Sequence, residues 1–337
     1  MQFGQVYEKN RQYIQGVDWV TIHIAYACND RYVEQTMISM ASIFENNRQN
    51  NIEIYLLEDH ISEQYLKKIK DIALCYEQIV KIVSLDEVMD GFELEGDEYH
   101  PRTIYAKLFL DKVCQADRIL YLDSDTVVCD SLIPLWKMDL NDYYIAGVKM
   151  PYSDQIKKRL KIENDVPYLC DGIMMLNLQA WRENKLREKC MAFIRESSNS
   201  PYMLSEGTVN YVSQNHIKVL PPKYNLMSSM IMWDAEQIEQ LFLANDYYAN
   251  DDIQEARKEP VVIHYLNELY IRPWYANTDH PYKDIYWTYR KKINILEEMP
   301  IGSIGLKTRI LRFMNWLLPF TLFKIIYQSV TRKNRGH

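Results

Sequence analysis

The 337-residue chain has few residues that break regular structure, with only 10 Gly and 12 Pro, which excludes collagen-like and glycine-rich linker sequences. It contains no G-x-G-x-x-G and no G-x-x-x-x-G-K-[ST] motif, which argues against a dinucleotide-dependent dehydrogenase and a P-loop NTPase. Its six cysteines form no C-x-x-C pair, so the sequence predicts free thiols in a reducing compartment. With a formal net charge of −7, the chain is a poor candidate for binding nucleic acid.

Long uninterrupted apolar runs are also missing. Residues 1–16 are polar, so no signal peptide is predicted, and the longest apolar stretch, 313–330, is interrupted by Asn315, Pro319 and Lys324. Acidic residues are absent after Glu298, where seven Lys and Arg residues give the chain's end a charge of +7. Free thiols, no predicted signal peptide and no predicted membrane span together predict a cytoplasmic protein. The basic end after an acidic body predicts that this last segment contacts an anionic surface.

Segments rich in β-branched and aromatic residues alternate with segments of helical periodicity. The predicted strands are Val20–Cys28, Ile52–Leu57, Ile79–Leu85, Arg118–Val128, Tyr143–Val148, Ile173–Leu178 and Val261–Tyr265. The predicted helices begin at Val33 and after Ser62, and two more span Thr103–Val113 and Trp181–Ser197. This alternation predicts an α/β fold with a mostly parallel sheet, helices on both faces, and ligands at the carboxyl ends of the strands.

No repeat or linker divides the body of the chain. We therefore predict an N-terminal extension (residues 1–17), one catalytic domain (residues 18–295) and a basic amphipathic helical tail (residues 296–337). In the tail, apolar residues recur at helical spacing with Lys and Arg between them: Leu306, Ile310, Phe313, Met314 and Leu317. This pattern favours a helix lying on an anionic membrane, and the alternative is a helix docked on the body.

The most specific local motif is Asp123-Ser124-Asp125, directly after the apolar run Ile119–Leu122. Two carboxylates one residue apart at a strand end can bind Mg²⁺ or Mn²⁺ together with phosphate oxygens, although a solvated turn would look the same. His264 ends another apolar strand and is either a structural histidine or a third ligand. Lys107, among apolar neighbours in a predicted helix, either extends its ammonium to solvent or binds a diphosphate.

Seven segments follow one another in order between Thr21 and Trp274. They are 27–32 (ACNDRY), 105–108 (YAKL), 118–136 (RILYLDSDTVVCDSLIPLW), 171–178 (DGIMMLNL), 206–210 (EGTVN), 220–225 (LPPKYN) and 264–274 (HYLNELYIRPW). In their order and spacing they resemble glycosyltransferase family 8, the retaining transferases that include glycogenin and bacterial lipopolysaccharide glucosyl- and galactosyltransferases.

The resemblance implies a GT-A fold, the Rossmann-like fold of nucleotide-diphospho-sugar transferases, which binds a UDP-sugar and Mn²⁺ or Mg²⁺. It implies that Asp123, Asp125 and His264 bind the metal and that Tyr32 stacks on uracil. Asp171 and Glu206 fall beside the donor sugar, as the expected catalytic residues. The full set of expected donor contacts is Ala27, Asn29, Asp30, Tyr32, Lys107, Asp123, Ser124, Gly172 and Arg272.

Three positions depart from the family's pattern. Cys170 stands where the family often has Asn, and Ser205-Glu206-Gly207 replaces D-Q-[DG], so a carboxylate takes the place of an amide near the reacting carbon. The segment 264–274 is two residues longer than H-x-x-G-x-x-K-P-W and has Arg272 for the lysine. The resemblance therefore predicts catalysis but leaves the donor sugar open.

The sequence as a whole predicts a retaining, metal-dependent hexosyltransferase. We expect it to move glucose or galactose from a UDP-sugar to a glycan or lipid-linked acceptor, in lipopolysaccharide or capsule synthesis at the inner face of a bacterial membrane. A sugar-1-phosphate nucleotidyltransferase is disfavoured, because Asn29-Asp30-Arg31 does not resemble the glycine-rich loop of that class. A non-catalytic UDP-sugar-binding or scaffold protein of the same fold is the other alternative, supported by the change at Glu206.

Overall fold

The computed structural model describes residues 20–92, 102–152, 154–196, 205–266, 269–295 and 297–332. The predicted N-terminal extension, residues 1–17, lies outside the described residues, as do Lys333 and Arg335 of the predicted tail.

The described residues form nine strands in two sheets. The strands are β1 (Thr21–Cys28), β2 (Asn51–Glu58), β3 (Ile79–Ser84), β4 (Arg118–Leu122), β5 (Thr126–Val128), β6 (Ile145–Lys149), β7 (Leu169–Asn177), β8 (Ile217–Val219) and β9 (Val262–His264). Seven of them form a central sheet in the order β3-β2-β1-β4-β7-β6-β8, and β5 pairs with β9 in a small second sheet. Within the central sheet, β7 is antiparallel to both neighbours and the other pairs are parallel. The predicted α/β fold with a mostly parallel sheet is confirmed.

Helices cover both faces of this sheet. The α-helices are α1 (Val33–Asn46), α2 (Glu63–Cys75), α3 (Leu85–Val88), α4 (Leu110–Val113), α5 (Ile133–Trp136), α6 (Asp154–Arg159), α7 (Leu178–Glu183), α8 (Leu186–Glu196), α9 (Ser205–Ser213), α10 (Ser228–Met232), α11 (Ala235–Phe242), α12 (Asn250–Lys258), α13 (Lys283–Lys292), α14 (Leu306–Leu317) and α15 (Phe320–Arg332). Two 3₁₀ helices span Arg102–Phe109 and Pro222–Tyr224.

Strand β1 shows why the central strands are mostly apolar. Ile22 and Ile24 pack into the core on one face of the sheet, while Ala25 and Ala27 pack into a separate core on the other face. Because successive side chains of a strand point to opposite faces, a strand covered on both sides needs apolar residues at consecutive positions and not only at alternate ones.

The prediction of a single strand over Arg118–Val128 is wrong. The chain leaves the central sheet after β4, turns through Asp123-Ser124-Asp125, and enters the second sheet as β5. The turn is closed by the Thr126 hydroxyl, which donates to the Asp123 carbonyl at 2.8 Å. The two carboxylates therefore lie at the junction of the two sheets, and not at the end of one long strand.

Three other boundaries differ from the predictions. The helix expected over Trp181–Ser197 is divided into α7 and α8, because Lys185 adopts φ = +53° between them. The helix expected over Thr103–Val113 begins as a 3₁₀ helix before continuing as α4. Strand β7 begins at Leu169, four residues earlier than expected, so Asp171 and Gly172 lie within the central sheet.

The tail forms a helical hairpin, and both of its helices contact the body. On α14, Asn315 accepts a hydrogen bond from Trp233 at 3.0 Å and Arg312 forms an ion pair with Asp279. Lys307, near the start of α14, donates to the carbonyl of Val330 near the end of α15, so the helices run antiparallel. Phe323 and Tyr327 of α15 are buried against Trp233. The apolar residues of α14 remain partly or largely exposed. None of the helices in the described ranges has both the length and the apolar character needed to span a membrane.

Candidate active site

A cavity of about 480 Å³ opens at the carboxyl ends of β1 and β4. Nine of the predicted site residues line it: Ala27, Asn29, Tyr32, Lys107, Asp123, Ser124, Asp125, Asp171 and Glu206. The remaining lining comes from Cys28, Arg31, Thr103, Ile104, Tyr121 and Ser205, to which the sequence analysis gave no role. The cavity therefore lies where ligands bind in open α/β sheets.

Asp123, Asp125 and His264 meet beside this cavity. Their potential ligand atoms all lie within 4.8 Å of one another. His264 Nε2 is 3.1 Å from Asp125 Oδ1 and 3.9 Å from Asp123 Oδ2. The second sheet brings them together, because the pairing of β5 with β9 places Thr126 opposite His264. Two carboxylates and one imidazole form a donor set suited to a divalent cation of the Mn²⁺ type.

Asn225 determines which nitrogen of His264 faces the carboxylates. Its Oδ1 atom lies 3.1 Å from His264 Nδ1, so Nδ1–H donates to the amide and Nε2 points to the two aspartates. The backbone holds Asn225 in place, since the next residue, Leu226, hydrogen-bonds both Val262 and His264 of β9. No role was predicted for Asn225 from the sequence, although it lies in the matched segment 220–225.

Burial and charge shift the pKa values of the cluster in different directions. Burial disfavours the charged form of His264, but the Asp125 carboxylate outweighs burial and raises the pKa of His264 well above its usual value. The pKa of Asp125 is lowered, because the neighbouring His264 outweighs the effect of burial. Burial raises the pKa of Asp123 despite the opposing charge of Lys107. Since imidazole binds a cation through a deprotonated nitrogen, cation binding here would release a proton.

Gly172 packs directly against this cluster instead of lining the cavity. Its carbonyl accepts a hydrogen bond from the Asp123 backbone N–H at 2.7 Å. A Cβ atom at this position would lie 2.5 Å from His264 Cε1 and 2.6 Å from Asp123 Oδ2. Both distances are shorter than any ordinary contact, so only glycine leaves room for the two side chains.

Two cationic side chains flank the carboxylates, and the first is Lys107. Its ammonium is 2.8 Å from Asp171 Oδ2, 3.8 Å from Asp123 Oδ1 and 4.5 Å from the ring centre of Tyr121. Only 3% of the side chain is exposed, so the interpretation of Lys107 as a lysine extending to solvent is wrong. Burial opposes its charge, but Asp123 and Asp171 hold the pKa of Lys107 above its usual value.

The second cation, Arg272, connects the metal cluster to the cavity mouth. Its guanidinium lies 3.3 Å from Asp125 Oδ2 and donates to the Tyr32 hydroxyl at 3.1 Å. It also lies over the ring of Trp274, which meets Tyr32 edge-on. Tyr32 remains 36% exposed, so its ring is held in position and still accessible to a flat ligand.

The other predicted donor contacts have protein partners of their own. Asn29 Oδ1 accepts from the backbone N–H of Arg31 at 3.1 Å and thereby shapes the loop after β1. Asp30 Oδ1 accepts from the backbone N–H of Ser62 at 2.8 Å, so its carboxylate supports the start of α2. The Ser124 hydroxyl accepts from Thr36 of α1 at 2.8 Å.

Two carboxyl groups, Asp171 and Glu206, face the cavity between β7 and α9. Asp171 Oδ2 accepts a hydrogen bond from the Ser205 hydroxyl at 2.6 Å and also binds Lys107. The Tyr168 hydroxyl and the backbone of Asp171 lie near the Glu206 carboxyl, and both act to lower its pKa. Burial and the negative charge of Asp171 raise the pKa of Glu206 to about 8. Ser205 and Tyr168 carried no signal in the sequence beyond their closeness to matched segments.

Known proteins share both the sequence pattern and the fold. A lipopolysaccharide 1,2-glucosyltransferase of Escherichia coli is 26% identical over 298 residues, which cover 85% of this chain and 84% of that protein. General stress protein A of Bacillus subtilis is 21% identical over 273 residues, which cover 80% of this chain and 92% of that protein.

Among solved structures, the galactosyltransferase LgtC in complex with donor and acceptor sugar analogs superposes with a TM-score of 0.67 at 19% identity. The match covers 82% of this chain and 98% of LgtC. The glycosyltransferase GlyE of Streptococcus pneumoniae superposes with a TM-score of 0.59 at 18% identity, covering 93% of this chain and 64% of GlyE. These likenesses show a shared GT-A fold.

The sequence pattern and the fold agree with a match to the family model described as Glycosyl transferase family 8, which covers residues 23–278. That range includes the cavity, both cations and the cluster of two aspartates with His264. The chain therefore belongs to glycosyltransferase family 8.

Proposed function

We propose that this protein is a retaining, metal-dependent hexosyltransferase whose donor is UDP-glucose or UDP-galactose. The observation that carries the proposal is the cluster of Asp123, Asp125 and His264 at the edge of a cavity that also holds a buried cation. Its acceptor would be a glycan or lipid-linked sugar in bacterial lipopolysaccharide or capsule synthesis, as the name of the E. coli relative suggests.

The three ligand side chains fit Mn²⁺ by their chemistry and by the contacts that orient them. Carboxylate oxygens suit Mg²⁺ and Mn²⁺ alike, but an imidazole ligand favours Mn²⁺. Asn225 keeps His264 Nε2 directed at the carboxylates, which is the arrangement expected around a ligating histidine. When bound, the ion would supply electrostatic stabilisation to the diphosphate as it leaves the sugar.

Lys107 and Arg272 supply the fixed positive charge that this reaction requires. Negative charge develops on the diphosphate when the bond to the sugar breaks, and preoriented cations stabilise it without reorganisation. An ion pair with Asp171 orients Lys107 inside the cavity. An ion pair with Asp125 and a hydrogen bond to Tyr32 orient Arg272 at the cavity opening. We propose that the two side chains bind the diphosphate from opposite ends of the cavity, with uracil stacked on Tyr32.

A panel of UDP-sugars tests this proposal through the release of UDP. We expect release from UDP-glucose or UDP-galactose with Mn²⁺, and none in EDTA. Asp125→Ala should lower turnover by about 10²–10³-fold, because it removes a group that fixes the cation at the leaving diphosphate. The matched control Asp90→Ala, at an exposed position in the turn after α3, should leave turnover unchanged.

Three outcomes would contradict this proposal. Full activity in EDTA would refute the metal site. Tight UDP-sugar binding without turnover, with water or with any glycan acceptor, would support the non-catalytic binding protein instead. A product with the β configuration would refute retention.

We further propose that the tail hairpin holds the enzyme at the inner face of the cell membrane. Its outer helix, α14, exposes Phe313, Trp316 and Leu317, and Trp316 is 79% exposed. Basic side chains lie on the same helix, and the chain carries no acidic residue after Glu298. Exposed aromatic and apolar groups beside basic ones are typical of helices that lie in the surface of an anionic bilayer.

Co-sedimentation of the full chain with phosphatidylglycerol-containing vesicles tests this membrane contact. We expect binding that high salt weakens, because charge attraction to the bilayer is screened. Replacing Phe313 and Trp316 together by Ser should weaken binding at least about tenfold, since their apolar area no longer enters the interface. Leu74→Ser on exposed α2 is the matched control. Equal binding by all three proteins would refute contact through α14.

A further inference from the structure

The loop that carries Arg272 contacts both the cavity and the tail. We call residues 270–280, which lie between β9 and α13, the Arg272 loop. Arg272 itself extends to the cavity opening, where it contacts Asp125 and Tyr32. Other residues of the same loop contact α14 and the segment 300–302 that precedes it. The loop therefore connects a cation proposed to bind the donor diphosphate with the tail of the chain.

The first connection to the tail runs through Asp279, which uses both of its carboxylate oxygens. Oδ1 accepts a hydrogen bond from the backbone N–H of Ile271 at 2.9 Å, and Oδ2 forms an ion pair with Arg312 of α14. The Arg312 guanidinium also lies over the ring of Tyr270, 5.3 Å from the ring centre. Arg312 thus acts on both residues that directly precede Arg272, on Tyr270 by contact and on Ile271 through Asp279.

The second connection joins residues 275–277 to the start of the tail. The Asn277 side chain accepts from the Gly302 N–H at 2.8 Å and donates to the Gly302 carbonyl at 2.9 Å. The Ala276 N–H donates to the Pro300 carbonyl at 2.9 Å. A Cβ atom at Gly302 would lie only 2.8 Å from Tyr275 Cβ, so the tail backbone packs directly on the loop.

We propose that Arg312 and Asp279 are positioning residues that orient Arg272 toward the donor diphosphate, so that the tail forms part of the donor-binding site. This inference rests on the proposed function, because it takes the diphosphate as the ligand of Arg272. A cation stabilises a leaving diphosphate most effectively when its position is fixed before the ligand arrives. Asp279 fixes the backbone beside Arg272, and Arg312 fixes Asp279 to α14.

The exposure of the ion pair sets the size of the expected effect. The Arg312 and Asp279 side chains are 28% and 37% exposed, and ion pairs at such partly exposed positions contribute little energy. We therefore expect Arg312→Ala to weaken UDP binding by about threefold. Adding Asn277→Ala, which removes the second connection, should bring the loss to about tenfold, because two hydrogen bonds to Gly302 are also lost.

Calorimetric titration of the full chain with UDP or with uridine, both with Mn²⁺, tests the proposal. The losses should appear for UDP, whereas uridine affinity should stay within about twofold of wild type because uridine has no diphosphate for Arg272 to bind. Asp279→Asn keeps an acceptor for the Ile271 N–H but loses the ion pair, so it should behave as Arg312→Ala does. Lys291→Ala, which removes one exposed positive charge from α13, is the matched control and should bind UDP as wild type does.

A double-mutant cycle shows whether Arg312 acts through Arg272. In the Arg272→Ala background, Arg312→Ala should cause no further loss of UDP affinity. Three results would overturn the inference: wild-type UDP affinity in Arg312→Ala with Asn277→Ala, an equal loss with and without Arg272, or a loss for uridine as large as that for UDP.

Hydrogen–deuterium exchange tests the connection without any donor. We expect the backbone amides of residues 270–275 to exchange faster in Arg312→Ala than in wild type, and to be unchanged in Lys291→Ala, because the loop loses its contact with α14. Exchange as in wild type would overturn the inference. Failure of the wild-type protein to bind UDP would instead refute the proposed function, and the exchange result would still decide whether the tail holds the loop.

Discussion

Replacing Gly172 by alanine should damage the proposed metal site without any change to a ligand. The added Cβ would lie 2.5 Å from His264 Cε1 and 2.6 Å from Asp123 Oδ2, while ordinary contacts begin at 3.4 Å. The backbone cannot easily relieve this overlap, because β7 is paired with β4 from Ile173 to Asn177 and the Gly172 carbonyl accepts a hydrogen bond from the Asp123 N–H at 2.7 Å. The two ligand side chains must therefore move, each by close to 1 Å.

The size of the effect follows from this displacement. Inserting one methyl group into a well-packed site costs about 1–3 kcal/mol, so the protein should still fold. Misplacing a catalytic group by about 1 Å can cost about 10²-fold in rate. We expect Gly172→Ala to bind Mn²⁺ at least about tenfold more weakly than wild type and to lose about 10²-fold in turnover.

Mn²⁺ titration followed by electron paramagnetic resonance measures the affinity, and circular dichroism measures thermal unfolding. Two other glycines provide matched controls. A Cβ at Gly305 meets no atom within 4 Å, and a Cβ at Gly147 meets the flexible side chain of Leu169 at 3.2 Å. Both alanine variants should bind Mn²⁺ as wild type does. Wild-type Mn²⁺ affinity in Gly172→Ala would refute the assignment of the cation to Asp123 and His264.

Three further predictions address single contacts. Asn225→Ala should weaken Mn²⁺ binding by about 10–100-fold in the same titration, because His264 loses the acceptor that orients it; an unchanged affinity would contradict this. Because the pKa of Glu206 rises on folding from 4.5 to about 8, its contribution to the free energy of unfolding falls as pH rises through that range. Glu206→Gln should therefore be more stable than wild type at pH 9, on the order of 3 kcal/mol, and equal to it near pH 4, as measured by urea unfolding; equal stability at both values would contradict this. Phe323→Ala should lower the free energy of unfolding by about 3–5 kcal/mol in the same assay, because Phe323 is buried against the body. Phe313→Ala, on the exposed face of α14, should change it by less than about 0.5 kcal/mol. Equal effects of the two substitutions would show that α15 is not docked.

The sequence determined the parts of this protein that depend on local patterns. The apolar runs within β1, β2 and β4 predict buried strands, because a sheet covered on both faces needs apolar side chains at most of its central positions. The order of the matched segments was enough to predict family 8 and the GT-A fold, and both are confirmed. The Asp123-Ser124-Asp125 motif could be located next to a buried strand, because its carboxylates interrupt an otherwise apolar run.

The tertiary structure alone decided which of these residues meet. Asp125 and His264 are 139 positions apart, and they meet only because β5 leaves the central sheet and pairs with β9. No local pattern predicts that departure, since the apolar residues of β5 continue the pattern of β4 across the turn. Ser205 and Asp171, or Asn225 and His264, likewise become partners through strand pairing and helix docking. The periodicity of apolar residues in the sequence indicates which side chains are buried. Contacts between distant residues depend instead on how the sheets and helices are arranged around the whole core.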